Sequence, residues 1–274
     1  MTPRIAYAAF PAMSTSVALT GVGVSERAIS QAAAEACQLA EGWEQRFSRF
    51  RPGSLLCRLN AAGGQPVPVD DTFLALLDAA AEAVRRTAGR FDPSVLPALE
   101  AIGYDRSIEK VRADPPGLGN VPGVSGFSGV SNWAGVCIDH EAGAVSLPPG
   151  MRVDFGGIAK GAFVDLLADT FASWPGGSID AGGDAVVWGE APDGRAWHIG
   201  IEDPHAPDHD AMRVDVPGGS RIGTATSGTH RRRWLAGGRE VHHLIDPHTG
   251  QPASGPAHSV TALAESVTAA EIAA

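Results

Sequence analysis

An α+β fold, helices first and strands after, is what this sequence predicts. Three observations carry that expectation. Apolar residues recur at helical spacing across 26–46 and 73–87. Eight short strand-like runs, separated by Gly- and Pro-containing turns, occupy 178–262. The two patterns are segregated along the chain, whereas a doubly wound sheet would alternate them. With 274 residues, 44% of them hydrophobic, the chain can bury the core of one large domain or two small ones.

Taken in order, residues 5–24 read as extended, with Val17, Leu19 and Val22 among small polar neighbours. A helix rich in Ala, Glu and Gln then runs from Glu26 to about Arg46, and Pro52-Gly53 breaks the chain beyond it. Ser54 is placed to cap a short helix, Leu55–Leu59, that stops near Asn60. After a turn at Gly63–Pro68, Asp70 or Asp71 caps a strong helix from Phe73 to Thr87, ended by Gly89. Pro93 and Pro97 rule out a long helix next, although Asp92 or Ser94 can cap a short one. Residues 110–132 are dense in Gly, Pro, Ser and Asn and read as a surface loop or insertion. Val136–Asp139 and Ala144–Leu147 alternate as a hairpin around Glu141–Gly143. A strand-like approach then ends at Asp154, Gly156-Gly157 turns the chain, and a helix starts at Ile158 and runs to near Trp174-Pro175. The strand-rich part follows, and Val267–Ala274 is helical again.

The net charge of -10 argues against a nucleic-acid partner, and no basic tract marks a membrane surface; Arg231–Arg233 is too short to be one. Cys37, Cys57 and Cys137 are odd in number and lack CxxC spacing, which fits a reducing compartment better than a disulfide or zinc framework. The first residues show no signal peptide or lipobox, and no stretch reads as a membrane span, so a cytoplasmic location is expected.

Candidate chemistry lies in five stretches. In Met151–Asp165 a glycine turn leads into a helix start, the usual geometry for holding a phosphate. Lys160 stands in that helix's first turn, where the dipole disfavours a cation and an anionic partner is expected. A plain strand-to-helix turn with a solvated Lys accounts for the same residues. In H-L-I-D-P-H-T-G, 243–250, a histidine at a strand end can accept a proton near neutral pH, and Asp246-Pro247 is also ordinary turn chemistry. T-A-T-S-G-T-H, 224–230, offers hydroxyls to a phosphate or ribose, or is a simple polar turn. Asp180 and Asp184 flank a glycine pair, as metal ligands or as a hairpin turn. F-D-P-S, 91–94, is explained by helix capping.

The order of these blocks is more telling than any one of them. Met13, Phe47–Asn60 (F-S-R-F-R-P-G-S-L-L-C-R-L-N), Gly89–Asp92, Val153–Phe163 (V-D-F-G-G-I-A-K-G-A-F), Gly182–Asp184, Thr226–Gly228 and His243–Pro252 together resemble the ApbE family of FAD:protein FMN transferases. The resemblance covers essentially all of 1–274 as one ApbE-like domain and implies a T-fold-like, two-lobed unit with a ligand cleft. It also implies transfer of FMN from FAD to a Thr or Ser of an acceptor flavoprotein, with AMP released and Mg²⁺ required. The residues it assigns to FAD are Met13, Phe50, Arg90, Phe91, Asp92, Asp154, Lys160, Thr226, Ser227, Leu244 and Ile245. His243 and Asp154 take catalytic roles, His243 as the acceptor-side base. The implied metal ligands are the Gly157 carbonyl, Glu271 and the Ala274 carbonyl. Here the sequence departs from the family: Glu271 stands where the family has Asp, and the family's Thr four positions on has no counterpart in the 274 residues. Weaker metal binding is therefore expected, which keeps two alternatives in view: an FAD-binding protein with little or no transferase activity, and an FAD hydrolase giving FMN and AMP. The oligomeric state is not legible.

Overall fold

The computed structural model describes residues 4–116 and 133–274. In chain order the elements are β1 (Ile5–Ala12), β2 (Thr15–Val22), α1 (Glu26–Phe47), α2 (Leu55–Ala61), β3 (Val67–Pro68), α3 (Asp71–Arg86), α4 (Leu96–Ala101) and α5 (Ile108–Ala113). Then come β4 (Cys137–Asp139), β5 (Ala144–Ser146), α6 (Ala159–Thr170), β6 (Gly176–Ala181), β7 (Asp184–Gly189), β8 (Ala196–Asp203), β9 (Ala206–Pro217) and β10 (Arg221–Gly228). Last are β11 (Arg233–Ala236), β12 (Arg239–His242), β13 (Ile245–Asp246), β14 (Gln251–Pro252), β15 (Ser259–Ala264) and α7 (Val267–Ala273). The fold is α+β, as the segregated patterns predict.

The chain forms two compact units. The first comprises Met1–Trp43, Ile158–Ser227 and Ser259–Ala274. Its frame is a six-stranded sheet in the order β1-β2-β6-β7-β10-β15. The residues read as merely extended, 5–24, are its first hairpin, registered Ile5↔Val22 to Ala12↔Thr15. Met13 and Ser14 make the two-residue turn with φ of 50° and 57°, the left-handed pair that matches hairpin twist but is disfavoured without glycine. α6 packs on β6 and β7, burying Phe163, Val164, Leu167 and Ala168. Of these, Phe163, Val164 and Leu167 each contribute about 1.5–3 kcal/mol by leaving water. α6 stops at Thr170, short of the expected Trp174, because Phe171 and Trp174 leave the helix to stack on each other 4.9 Å apart. β8 and β9 form a separate ribbon whose Trp197 and Val216 pack with Val22, Val187 and Ala191.

The second unit comprises Glu44–Gly157 and Gly228–His258. Phe47, Phe73 and Phe155 meet in its core, with Phe47 stacked on Phe73 at 5.1 Å and Phe155 edge-on to both. Ser54 and Asp70 are the N-caps of α2 and α3, each accepting a backbone N–H. Asp92, not Ser94, caps the short turn Pro93–Val95. Three sequence expectations are corrected. Met151–Asp154 is in no ladder among the described residues; the Asn60 side chain serves instead, bonding both the N–H and the carbonyl of Val153 at 2.8 and 2.9 Å. The strand expected over Val241–Ile245 is broken after His242, where the His243 N–H turns to the Arg232 carbonyl. The head of the 110–132 loop is helical, as part of α5, and 117–132 lies outside the described residues.

Candidate functional site

In the first unit the site grows from the N-terminal turn of α6. Lys160 there pairs directly with the Asp184 carboxylate at the start of β7, and its Nζ lies 3.9 Å from Glu271 Oε1 on α7. The three side chains are 15%, 5% and 8% exposed, so their charges interact where water screens little. The anionic partner expected for Lys160 is thus supplied by the protein itself. Asp184 Oδ1 also accepts the Thr226 N–H at 3.2 Å, which ties β10 to the cluster, while the Thr226 and Thr261 hydroxyls share a 2.8 Å hydrogen bond. Asp180 has a different job from Asp184: its carboxylate accepts the Gly182 and Gly183 N–H groups and holds the turn.

α7 docks on α6 through polar contacts at its own N-terminus. Ser266 accepts the Ala269 N–H, and Asp165 accepts the Val267 and Thr268 N–H groups at 2.9 Å and the Thr268 hydroxyl at 2.7 Å. That docking brings Glu271 onto α6, where its Oε2 accepts the Gly161 N–H at 2.8 Å. A Cβ on Gly161 would sit 2.7 Å from that oxygen, so glycine is what permits the approach. Ala274 closes the last turn of α7 with its N–H on the Ala270 carbonyl.

Asp184 and Glu271 present two carboxylates to one ammonium. Hard oxygens with excess negative charge suit magnesium, which takes one or two carboxylates and completes its shell with waters and phosphate oxygens. No three His, Cys, Asp or Glu side chains gather into a metal-binding group among the described residues. Of the implied metal ligands, the Glu271 carboxylate suits magnesium on these terms, with Lys160 and the Gly161 N–H competing for its oxygens.

In the second unit Asp154 is the hub. Its Oδ1 accepts the Gly156 N–H at 2.5 Å, its Oδ2 pairs with Arg49 Nε at 2.6 Å, and its own N–H donates to the Pro93 carbonyl. Arg49 lies over the Phe50 and Tyr104 rings and donates from Nη1 to the Tyr104 carbonyl. Phe50 is 39% exposed beside Tyr104. Burial pushes the Tyr104 phenol up, and Arg232 and Arg49 pull it partly back. Asp92 is buried: Oδ1 accepts the Ser94 N–H, and Oδ2 has no hydrogen-bond partner among the described residues. Arg90 is exposed, the Phe91 N–H is held by the Thr87 hydroxyl, and the Phe91 ring faces Gly157. A Cβ on Gly157 would meet only ordinary contact with that ring, at 3.4 Å.

His243, Leu244 and Ile245 follow the break after β12. The Ala253 N–H donates to the Leu244 carbonyl, and Ile245 pairs with Pro252. His242 Nε2 lies 3.1 Å from the Ala253 carbonyl, and burial lowers its pKa from the usual histidine value. The His248 N–H holds the Asp246 carboxyl below its usual range, as turn chemistry requires.

The structure therefore brings Lys160 and Glu271 together, and gathers Phe50 and Asp154 around one arginine. Sequence reasoning missed Arg49, the pairing of Asp184 and the capping by Asp165. For Asp165 a signal exists: Gly161 and Asp165 are four apart and share one helix face. For Arg49 it is slight, a lone cation between two aromatics in F-S-R-F.

The sequence profile of the ApbE family matches residues 13–274. An FAD:protein FMN transferase of Treponema pallidum is 31% identical over 86% of this chain and 68% of its own length. One from Vibrio cholerae is 30% identical over 85% of this chain and 69% of its own. Among solved structures, the ApbE protein of Thermotoga maritima superposes with a TM-score of 0.84 at 28% identity, covering 98% of this chain and 85% of that one.

Proposed function

The chain belongs to the ApbE family, and from that membership we infer that it is an enzyme transferring the FMN half of FAD to an acceptor protein. The observation that carries the reading is the match across 13–274, which takes in both charged clusters. The acceptor group we propose is a Thr or Ser hydroxyl. Its oxygen bonds to the FMN phosphorus, the bond from that phosphorus to the bridging oxygen breaks, and AMP leaves with the electron pair. His243 is proposed to take the hydroxyl proton. Transfer of this kind depends on positioning and on neutralising charge at the phosphate oxygens. Lys160 supplies a cation for that purpose. Asp154, held by Arg49, fixes the Gly156-Gly157 turn.

We propose Gly157, Glu271 and Ala274 as the protein's oxygen donors to Mg²⁺, with FAD contacts from Met13, Phe50, Arg90, Phe91, Asp92, Thr226, Ser227, Leu244 and Ile245. When bound, the ion would offset negative charge on the diphosphate. Among the described residues no helix is long and apolar enough to cross a membrane. The three free thiols Cys37, Cys57 and Cys137 support a reducing, cytoplasmic setting.

The test is incubation with FAD, Mg²⁺ and an acceptor domain. A covalent flavin adduct on the acceptor with stoichiometric AMP is the expected result. Free FMN with AMP would make the protein a hydrolase, and FAD binding without AMP would make it a carrier. Gly157→Ala gives a second check, since the protein itself leaves room for the methyl. The variant should fold normally yet lose FAD affinity if the glycine serves close approach by the ligand.

A further inference from the structure

Arg49 carries a buried donor that none of the described residues satisfies. Its side chain is 7% exposed. Nε is committed to Asp154 Oδ2 at 2.6 Å and Nη1 to the Tyr104 carbonyl at 2.6 Å. The guanidinium carbon lies 4.2 Å from the Phe50 ring centroid and 4.4 Å from that of Tyr104, so the group is held in place by two aromatic rings as well. Nη2 is buried and has no hydrogen-bond partner among the described residues. A buried charged donor left unmade is costly, and a guanidinium fixed on every other side cannot swing out to water. An orphan of this kind calls for an acceptor that arrives from outside the chain.

Its neighbours indicate what that acceptor is. Asp154, which Arg49 holds, also holds the Gly156-Gly157 turn. Asp154 donates its N–H to Pro93, next to Asp92, whose Oδ2 is also buried without a hydrogen-bond partner among the described residues. Phe50, stacked against Arg49, is the exposed aromatic at the same place.

We propose that Arg49 is a ligand-binding residue of this chain, its Nη2 donating to an oxygen of the bound dinucleotide while its Nε positions Asp154. The inference rests on the FAD reading above. Two ligand oxygens share the required chemistry: a carbonyl of the flavin ring and a non-bridging oxygen of the phosphate nearest it.

Arg49→Lys separates the roles. A lysine keeps one positive charge for Asp154 but cannot serve Asp154, Tyr104 and a ligand with one nitrogen. Binding of riboflavin, FMN, FAD and ADP to the wild type and this variant is measured by titration, with melting followed alongside. The proposal expects FAD affinity to fall about tenfold or more, the size of a lost charge-assisted hydrogen bond. A loss shared by riboflavin, FMN and FAD but not ADP identifies the carbonyl. A loss shared by FMN, FAD and ADP but not riboflavin identifies the phosphate. FAD affinity within twofold of wild type, or an equal loss for riboflavin and ADP, overturns the proposal, because a purely structural role has no ligand pattern. If Arg49→Lys does not fold, solvent exchange of the Arg49 guanidinium protons in the wild type, followed by ¹⁵N side-chain NMR, must slow on FAD addition; unchanged exchange overturns it equally. Failure of the wild type to bind FAD would instead defeat the transferase reading.

Discussion

The Lys160 ammonium lies between Asp184 and Glu271 with little water to screen it, so each charge depends on the others. Lys160→Met should cost about 3–5 kcal/mol, because two buried carboxylates lose their cation. Adding Asp184→Leu should recover part of that loss, since it removes one of the stranded charges. Urea denaturation of the two single variants and the double variant reads the coupling, and simple additivity would rule out a direct pair. His242 makes a different prediction at the same scale. Its native pKa is lowered by burial, against about 6.5 in the unfolded chain. Below that value the unfolded state binds more protons, so this contribution to stability is complete above pH 6.5 and is lost as pH falls through the native pKa. His242→Asn should flatten the fall of the urea midpoint between roughly pH 7 and 5; an unchanged slope would mean that the histidine is not the group responsible.

α7 shows how an element is positioned by a residue outside it. Seven residues form too short a helix to persist alone, and Asp165 on α6 satisfies two of its first N–H groups. Asp165→Ala should lower stability by about 1–2 kcal/mol, the range for a lost N-cap. Because α7 carries Glu271, amide exchange at Thr268 and at Gly161 should speed up together in this variant; acceleration at Thr268 alone would show that Glu271 is held independently. Elements with local causes were legible from sequence: α2 announces itself by Ser54, α3 by the Asp70-Asp71 pair, of which Asp70 is the cap, and the hairpin of β4 and β5 by alternation. Met151–Asp154 misled because an extended segment with alternating apolar residues looks the same whether its partner is a strand or one Asn60 side chain. The end of α6 misled for a related reason, since the Phe171–Trp174 stack competes with continued helix.

Across the whole molecule, segregated helices and strands identified the α+β class, but not that β1 and β2, from the first 22 residues, join β6, β7, β10 and β15 in one sheet. Such pairings are set by packing between distant segments, and so are the pairs that build the site. Lys160 and Glu271 stood out as motif residues, whereas the Asp184 carboxylate and the Arg49–Asp154 pair join positions 24 and 105 residues apart and leave no spacing to read. The overall charge raises one last expectation. On the proposed reading, a chain of net charge -10 binds a ligand carrying a diphosphate, and Lys160 is the cation that pairs with Asp184 and approaches Glu271 beside the proposed metal site. A divalent ion reverses the local balance, so Mg²⁺ should raise FAD affinity and a chelator should abolish transfer. The magnesium requirement should also be steep, because Glu271 is shared with the Gly161 N–H and approached by Lys160. Glu271→Gln tests this directly: it can keep the Gly161 contact through its amide oxygen while removing one charge. FAD affinity measured without metal should then improve, and the Mg²⁺-dependent gain should shrink. A variant whose magnesium response matches the wild type would place the ion away from Glu271.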